Sequence, residues 1–139
     1  MADHTLVYTL EELGNAVAVV KDQMKRCSVI TFTGDLGAGK TTLIRALLRD
    51  LGVLQPITSP TFTYMNRYIT ADGKTIYHFD LYRLNNLEEF RAQGFDEYLY
   101  QPNSYCLIEW PAIVMPLLTQ DVCPISLEYE AEARALRWE

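Results

Sequence analysis

The nine residues Gly34 to Thr42, GDLGAGKTT, hold the clearest chemistry in the chain, because Gly34 through Thr41 satisfies the spacing G-x-x-x-x-G-K-[ST]. That spacing is a phosphate cradle. Gly34, Gly37 and Gly39 let backbone N–H groups converge on phosphate oxygens where a Cβ would obstruct the turn, with Leu36 and Ala38 completing the loop between them. Lys40 adds a mobile positive charge for the β- and γ-phosphates, and Thr41 offers a hydroxyl to Mg²⁺. The helix N-terminus that follows favours anionic charge. Thr42 is either a further phosphate contact or an ordinary first-turn residue. The plain alternative for the whole stretch is a glycine turn capping a helix.

A Mg²⁺-nucleotide site also needs a carboxylate at the end of a neighbouring strand. Asp80 ends the alternating run TIYHFD, and Glu109 ends the apolar run YCLIE. Either acid can hold the ion through water while the other orients an attacking water; a solvated strand-end acid, or a partner for Arg83, is the plain reading of each. ITSPTFTY, residues 57–64, follows the phosphate-loop helix, where nucleotide hydrolases place a segment that senses the γ-phosphate. Its hydroxyls come from Ser59, Thr61 and Thr63, and Pro60 restrains Ser59 to extended geometry. Trp110, directly after Glu109, is a stacking platform or a core edge. His78 is a strand residue first and a base only weakly.

The elements that position these groups are legible in outline. TLVY reads as a short strand, after which Thr9 and Glu12 form a capping box. Leu10, Leu13, Val17, Val20 and Met24 then recur at three- and four-residue steps and give the helix one apolar face. VITFT (29–33) is a β-branched strand, and Leu43, Ile44, Leu47, Leu48 and Leu51 carry a helical period that ends at Gly52. The phosphate loop therefore joins a strand to a helix. Asp72-Gly73 suits the turn of a hairpin, YCLIEW reads as a buried strand, and ISLEY with RALRW predicts a closing hairpin. The expectation is one α/β domain over residues 1–139, a P-loop NTPase-like three-layer fold with a mixed parallel and antiparallel sheet and helices on it.

Composition bounds the function. A chain of 139 residues makes one domain that buries roughly 70% of its unfolded surface, with little room for a second catalytic module. No apolar run approaches the ~20 residues of a membrane span, and the N-terminus lacks a signal-peptide pattern, so a cytoplasmic protein is expected. The net charge of −6 argues against tight unaided nucleic-acid binding. Cys27, Cys106 and Cys123 each sit in or beside an apolar run, and buried free thiols are the expectation. No zinc-ligand spacing is present. The absence of N-K-x-D favours ATP over GTP.

Taken in order, GDLGAGKTT, SPTF, HFDLYRL, GFDEYL and LIEWP resemble the bacterial TsaE (YjeE) family over about residues 8–111. The resemblance implies a small ATPase of tRNA threonylcarbamoyladenosine biosynthesis, acting in a complex with TsaD and TsaB, which transfer a threonylcarbamoyl group to an adenosine beside the tRNA anticodon. It puts Lys40 and Thr41 on phosphate and Mg²⁺, Ser59 and Thr61 in a switch-like loop, Asp80 and Glu109 at the metal and hydrolytic centre, and Trp110 near the nucleotide or a partner. Contact with tRNA is expected only through that complex, and the chain alone is expected to be a monomer or weak homo-oligomer. The residues after Pro124 match the family weakly, and Ala112 stands where many members carry a polar residue. Two other readings stay open: a small-molecule kinase, for which no arginine-rich lid is evident, and a non-catalytic nucleotide-gated binding module.

Overall fold

A computed structural model describes residues 3–60 and 63–139. The chain runs β1 (His4–Tyr8), α1 (Leu13–Met24), β2 (Val29–Thr33), α2 (Lys40–Asp50), β3 (Met65–Ile69), β4 (Thr75–Asp80), α3 (Leu87–Ala92), β5 (Ser104–Glu109), β6 (Val122–Glu130) and β7 (Ala133–Trp138). Short 3₁₀ turns precede α1 (Leu10–Glu12) and flank β5 (Phe95–Tyr98 and Ala112–Leu117). The seven strands form one sheet in the order β1-β7-β6-β2-β5-β4-β3. β6, β2, β5 and β4 are parallel, and the hairpin partners β3 and β7 run antiparallel to them, which gives the mixed sheet expected from sequence.

Alternation along the central strands sends side chains to two separate cores. Ile30, Phe32, Ile76, Leu107 and Ile125 face α1 and α2, whereas Val29, Tyr77, Phe79, Cys106 and Ile108 face α3 and the 3₁₀ segments. Three layers result. On α2 the spacing of Leu43, Ile44, Leu47 and Leu48 makes one stripe that is fully buried, each side chain contributing about 1.5–3 kcal/mol of burial. The helix then stops in a paired turn: Gly52 N–H donates to Arg49 O and Val53 N–H to Leu48 O. Gly52 sits there at φ +81, where a Cβ would meet the Ala71 side chain at 2.5 Å.

Two sequence expectations are corrected. Leu10 does not join the apolar face of α1; it lies in the 3₁₀ turn that the Thr9–Glu12 capping box opens and is 73% exposed. Cys27 and Cys123 are not free thiols but are joined in a disulfide, their Cα atoms 5.8 Å apart. The two runs that looked independently apolar meet because β6 pairs with β2 directly after the α1–β2 turn. Cys106 remains free and buried, and burial pushes its thiol pKa up to about 12. Among the described residues no helix is long and apolar enough to cross a membrane.

Candidate functional site

The parallel strands end together at one edge of the sheet, and their last residues meet the glycine loop. Register places Asp80 opposite Glu109 and Glu109 opposite Phe32, so both acids lie beside the end of β2, from which the loop departs. The loop needs its glycines at two points of close approach. A Cβ on Gly34 would stand 2.3 Å from the Leu127 carbonyl oxygen, and one on Gly37 would stand 2.7 Å from the Tyr129 hydroxyl. The helix opens directly at Lys40.

A cleft of about 600 Å³ results, lined by Leu36, Gly37, Gly39, Lys40, Thr41, Thr42, Asp80, Tyr82, Arg83, Glu109 and Trp110. Nine of these are residues that the sequence put at the site, drawn from three separated segments. Gly34 and Ala38 belong to the loop without lining the cleft, Ala38 being fully buried beneath it. Ser59 is exposed and outside the cleft lining, and Thr61 lies outside the described residues. The segment before β3 is tied down instead through Thr58, whose N–H donates to the Tyr68 hydroxyl and whose carbonyl accepts from Asn66 Nδ2 at 2.9 Å.

The charged groups are arranged around Glu109. Its Oε1 accepts from the Thr41 hydroxyl at 2.9 Å, and its Oε2 lies 2.6 Å from His78 Nε2, with Glu109 and His78 both only 2% exposed. Lys40 Nζ donates to the carbonyls of Gly34 and, at 2.9 Å, of Asp35, and it stands 4.3 Å from the centroid of the Trp110 ring. Burial lowers the Lys40 pKa from its ordinary value, and the nearby carboxylates of Glu109, Asp80 and Asp35 offset part of that. The Asp80 carboxyl shifts upward, chiefly through burial and further through the Glu109 charge; the Tyr82 N–H, His78 and Arg83 pull against it. Trp110 itself turns at φ +57 directly after β5, and Tyr82 packs edge-on against its ring at 4.8 Å.

The sequence did not reveal what braces the loop from behind. The Tyr129 hydroxyl on β6 donates to Gly37 O at 2.6 Å, and Arg134 Nε on β7 donates to Ala38 O at 3.1 Å while its guanidinium lies over the Tyr129 ring. Tyr129 and Arg134 are register partners in the closing hairpin, and only that pairing would have exposed the brace. A second cavity of about 330 Å³, between Tyr8, Leu10, Leu13 and Arg134, shares Gly37, Gly39 and Thr42 with the phosphate-loop cleft. Among the described residues no three His, Cys, Asp or Glu side chains converge on a metal position.

A strand, glycine loop and helix on a parallel-centred sheet, with strand-end carboxylates beside the loop, define an α/β protein with its cleft at the edge where the parallel strands end. Residues 7–136 match the family model described as "Threonylcarbamoyl adenosine biosynthesis protein TsaE", well beyond Pro124, where the resemblance in sequence had weakened. The tRNA threonylcarbamoyladenosine biosynthesis protein TsaE of Haemophilus influenzae is 39% identical over 119 residues, covering 86% of this chain and 74% of that protein. The protein of the same description from Treponema pallidum is 39% identical over 115 residues, covering 82% of each. The crystal structure of Bacillus subtilis YdiB superposes with a TM-score of 0.70 at 28% identity, covering 99% of this chain and 84% of that one. The chain belongs to the TsaE family.

Proposed function

We propose that the chain is a Mg²⁺-dependent ATPase that serves tRNA threonylcarbamoyladenosine biosynthesis in a cytoplasmic complex with TsaD and TsaB, its hydrolysis driving or resetting that complex. One observation carries the reading most: the Thr41 hydroxyl is hydrogen-bonded to Glu109 within a cleft that also holds Lys40 and Asp80. Thr41 and Glu109 are hard oxygen donors, a set that suits Mg²⁺ completed by phosphate oxygens and waters better than it suits zinc or a soft metal. When bound, the ion would neutralise charge on the β- and γ-phosphates.

The chain's own groups divide the remaining work. The loop N–H groups and Lys40 bind phosphate, for which Lys40 must leave the Gly34 and Asp35 carbonyls. Asp80 is the carboxylate free to orient water: burial raises its basicity, and no other side chain hydrogen-bonds it among the described residues. The second cavity adjoins the loop and offers room for the nucleoside. Turnover alone is slow, because Arg83 is the only arginine lining the cleft among the described residues and transition-state charge in such folds needs a well-placed guanidinium. A partner supplies what is missing. With a net charge of −6, tRNA affinity belongs to the assembled complex, and the chain by itself is a monomer or weak homo-oligomer.

The test is steady-state ATP hydrolysis by the purified chain, alone and with TsaD, TsaB and tRNA. A rate that rises in the assembly supports the proposal. A fast rate unmoved by partners points to the kinase reading, and phosphorylated small-molecule products would identify it. Partner function that persists fully in an Asp80→Ala chain without hydrolysis would establish a nucleotide-gated binding module instead.

A further inference from the structure

β4 and β5 pair in parallel with His78 opposite Leu107 and Asp80 opposite Glu109, so His78 sits one step below the two acids on the same face of the sheet. Its Nε2 reaches up to Glu109 Oε2 at 2.6 Å. With Glu109 as a carboxylate, which only accepts hydrogen bonds, the contact assigns the proton to Nε2 of the ring. The other ring nitrogen, Nδ1, is buried and has no hydrogen-bond partner among the described residues. A histidine placed only to fill the core would leave neither the carboxylate nor its own second nitrogen in that position, since an unpaired buried polar atom costs about 1–3 kcal/mol. The ring gives up one nitrogen and directs the other at Glu109.

We propose that His78 is a positioning residue: it ties down one oxygen of Glu109 so that the other is held toward the Thr41 hydroxyl, the pair that would hold the cation. The inference rests on the Mg²⁺-nucleotide reading of the cleft and adds to it a residue that touches neither nucleotide nor ion. Glu109 needs such a partner because it is 2% exposed and without His78 would keep only the Thr41 hydroxyl as a donor among the described residues. A carboxylate held by one hydrogen bond rotates about its terminal torsion; held by two on opposite oxygens, it does not. Outer hydrogen-bond partners of this kind alter metal affinity by about 10–100-fold when removed.

The experiment measures binding rather than turnover. Calorimetric titration of a non-hydrolysable ATP analogue, at stepped Mg²⁺ concentrations and in EDTA, is run on the wild type, on His78→Leu, which fills the volume without a donor, and on His78→Gln, which restores an N–H near the Nε2 position. The expected result is a Mg²⁺ half-saturation raised about 10–100-fold in His78→Leu, recovered to within about threefold in His78→Gln, with the EDTA affinity unchanged throughout. Equal behaviour of the two variants, or loss of the Mg²⁺-free affinity as well, overturns it, because a structural role moves both. Nitrogen-15 spectra of the wild-type histidines give an independent readout that needs no variant to fold: a proton on His78 Nε2 supports the pairing, and a bare Nε2 refutes it. A wild type whose nucleotide binding ignores Mg²⁺ refutes the reading of the cleft itself, and the histidine is then judged on its nitrogen spectrum.

Discussion

Lys40→Met separates binding from folding at one side chain. In the free protein the ammonium is held by the Gly34 and Asp35 carbonyls and by the Trp110 face, and it is 5% exposed. Under the proposed function, nucleotide binding would exchange those contacts for phosphate oxygens. A charge-assisted hydrogen bond is worth about 1.5–3 kcal/mol, and a unit charge pair at 4 Å about 4 kcal/mol at an effective dielectric of 20. Against this stand two ammonium–carbonyl hydrogen bonds, themselves charge-assisted and worth about 1.5–3 kcal/mol each, and a cation–π contact of about 0.5–2 kcal/mol, all lost on binding. Several phosphate contacts must outweigh them. The net loss on removing the ammonium is about 1.5–3 kcal/mol, or about 10–100-fold in Kd. Stability of the free protein moves the other way or hardly at all: methionine leaves two carbonyls without a donor but removes a charge whose burial already depresses the Lys40 pKa. Calorimetry with Mg·ATP and urea denaturation on the same samples give both numbers. Binding within twofold of wild type, or a loss of affinity matched by unfolding, would refute the reasoning.

Four further outcomes follow from named contacts. Asp80→Asn lowers kcat on the order of 100-fold while KM changes little, read by steady-state hydrolysis in the assembled complex. The same substitution changes stability with pH: because folding raises the Asp80 pKa, the protonated side chain favours the folded state below about pH 4, and that contribution is lost as pH rises through the folded pKa. Urea melts across pH 3.5–7 are therefore expected to show Asp80→Asn gaining on the wild type as pH rises, and parallel curves would contradict this. Gly34→Ala destabilises by about 3 kcal/mol or more because its Cβ meets a backbone carbonyl at 2.3 Å, whereas Gly73→Ala, with open space around it, costs only about 1–2 kcal/mol for its left-handed φ of +84, both read by thermal melt. Thiol titration of the denatured, unreduced protein counts one free cysteine, Cys106; a count of three would show that Cys27 and Cys123 are not bonded.

What the sequence made legible was local. The glycine loop, the strand before it and the α2 stripe are patterns within a few residues, and the acids closing TIYHFD and YCLIE are the last residues of their strands. Parallel strands that all end at one edge then bring Lys40, Asp80 and Glu109 together without any signal between them in sequence. What stayed hidden depends on register between distant segments. Tyr129 and Gly37 are separated by 92 residues, Cys27 and Cys123 by 96, and the His78–Glu109 contact exists only because β4 pairs with β5 in one register and not the next. Leu10 misled because a helical period counts residues before the helix begins, and the capping box starts a 3₁₀ turn instead. Ser59 belongs to no helix or strand and lies outside the cleft.

The most direct measurement follows ADP release and threonylcarbamoyl transfer to tRNA together, in one reconstituted reaction containing TsaD and TsaB, with wild-type chain and with Glu109→Gln. The wild type is expected to sustain both over repeated cycles, and Glu109→Gln to lose hydrolysis and stall modification. Sustained modification with the hydrolysis-deficient chain, at the wild-type rate, would contradict this.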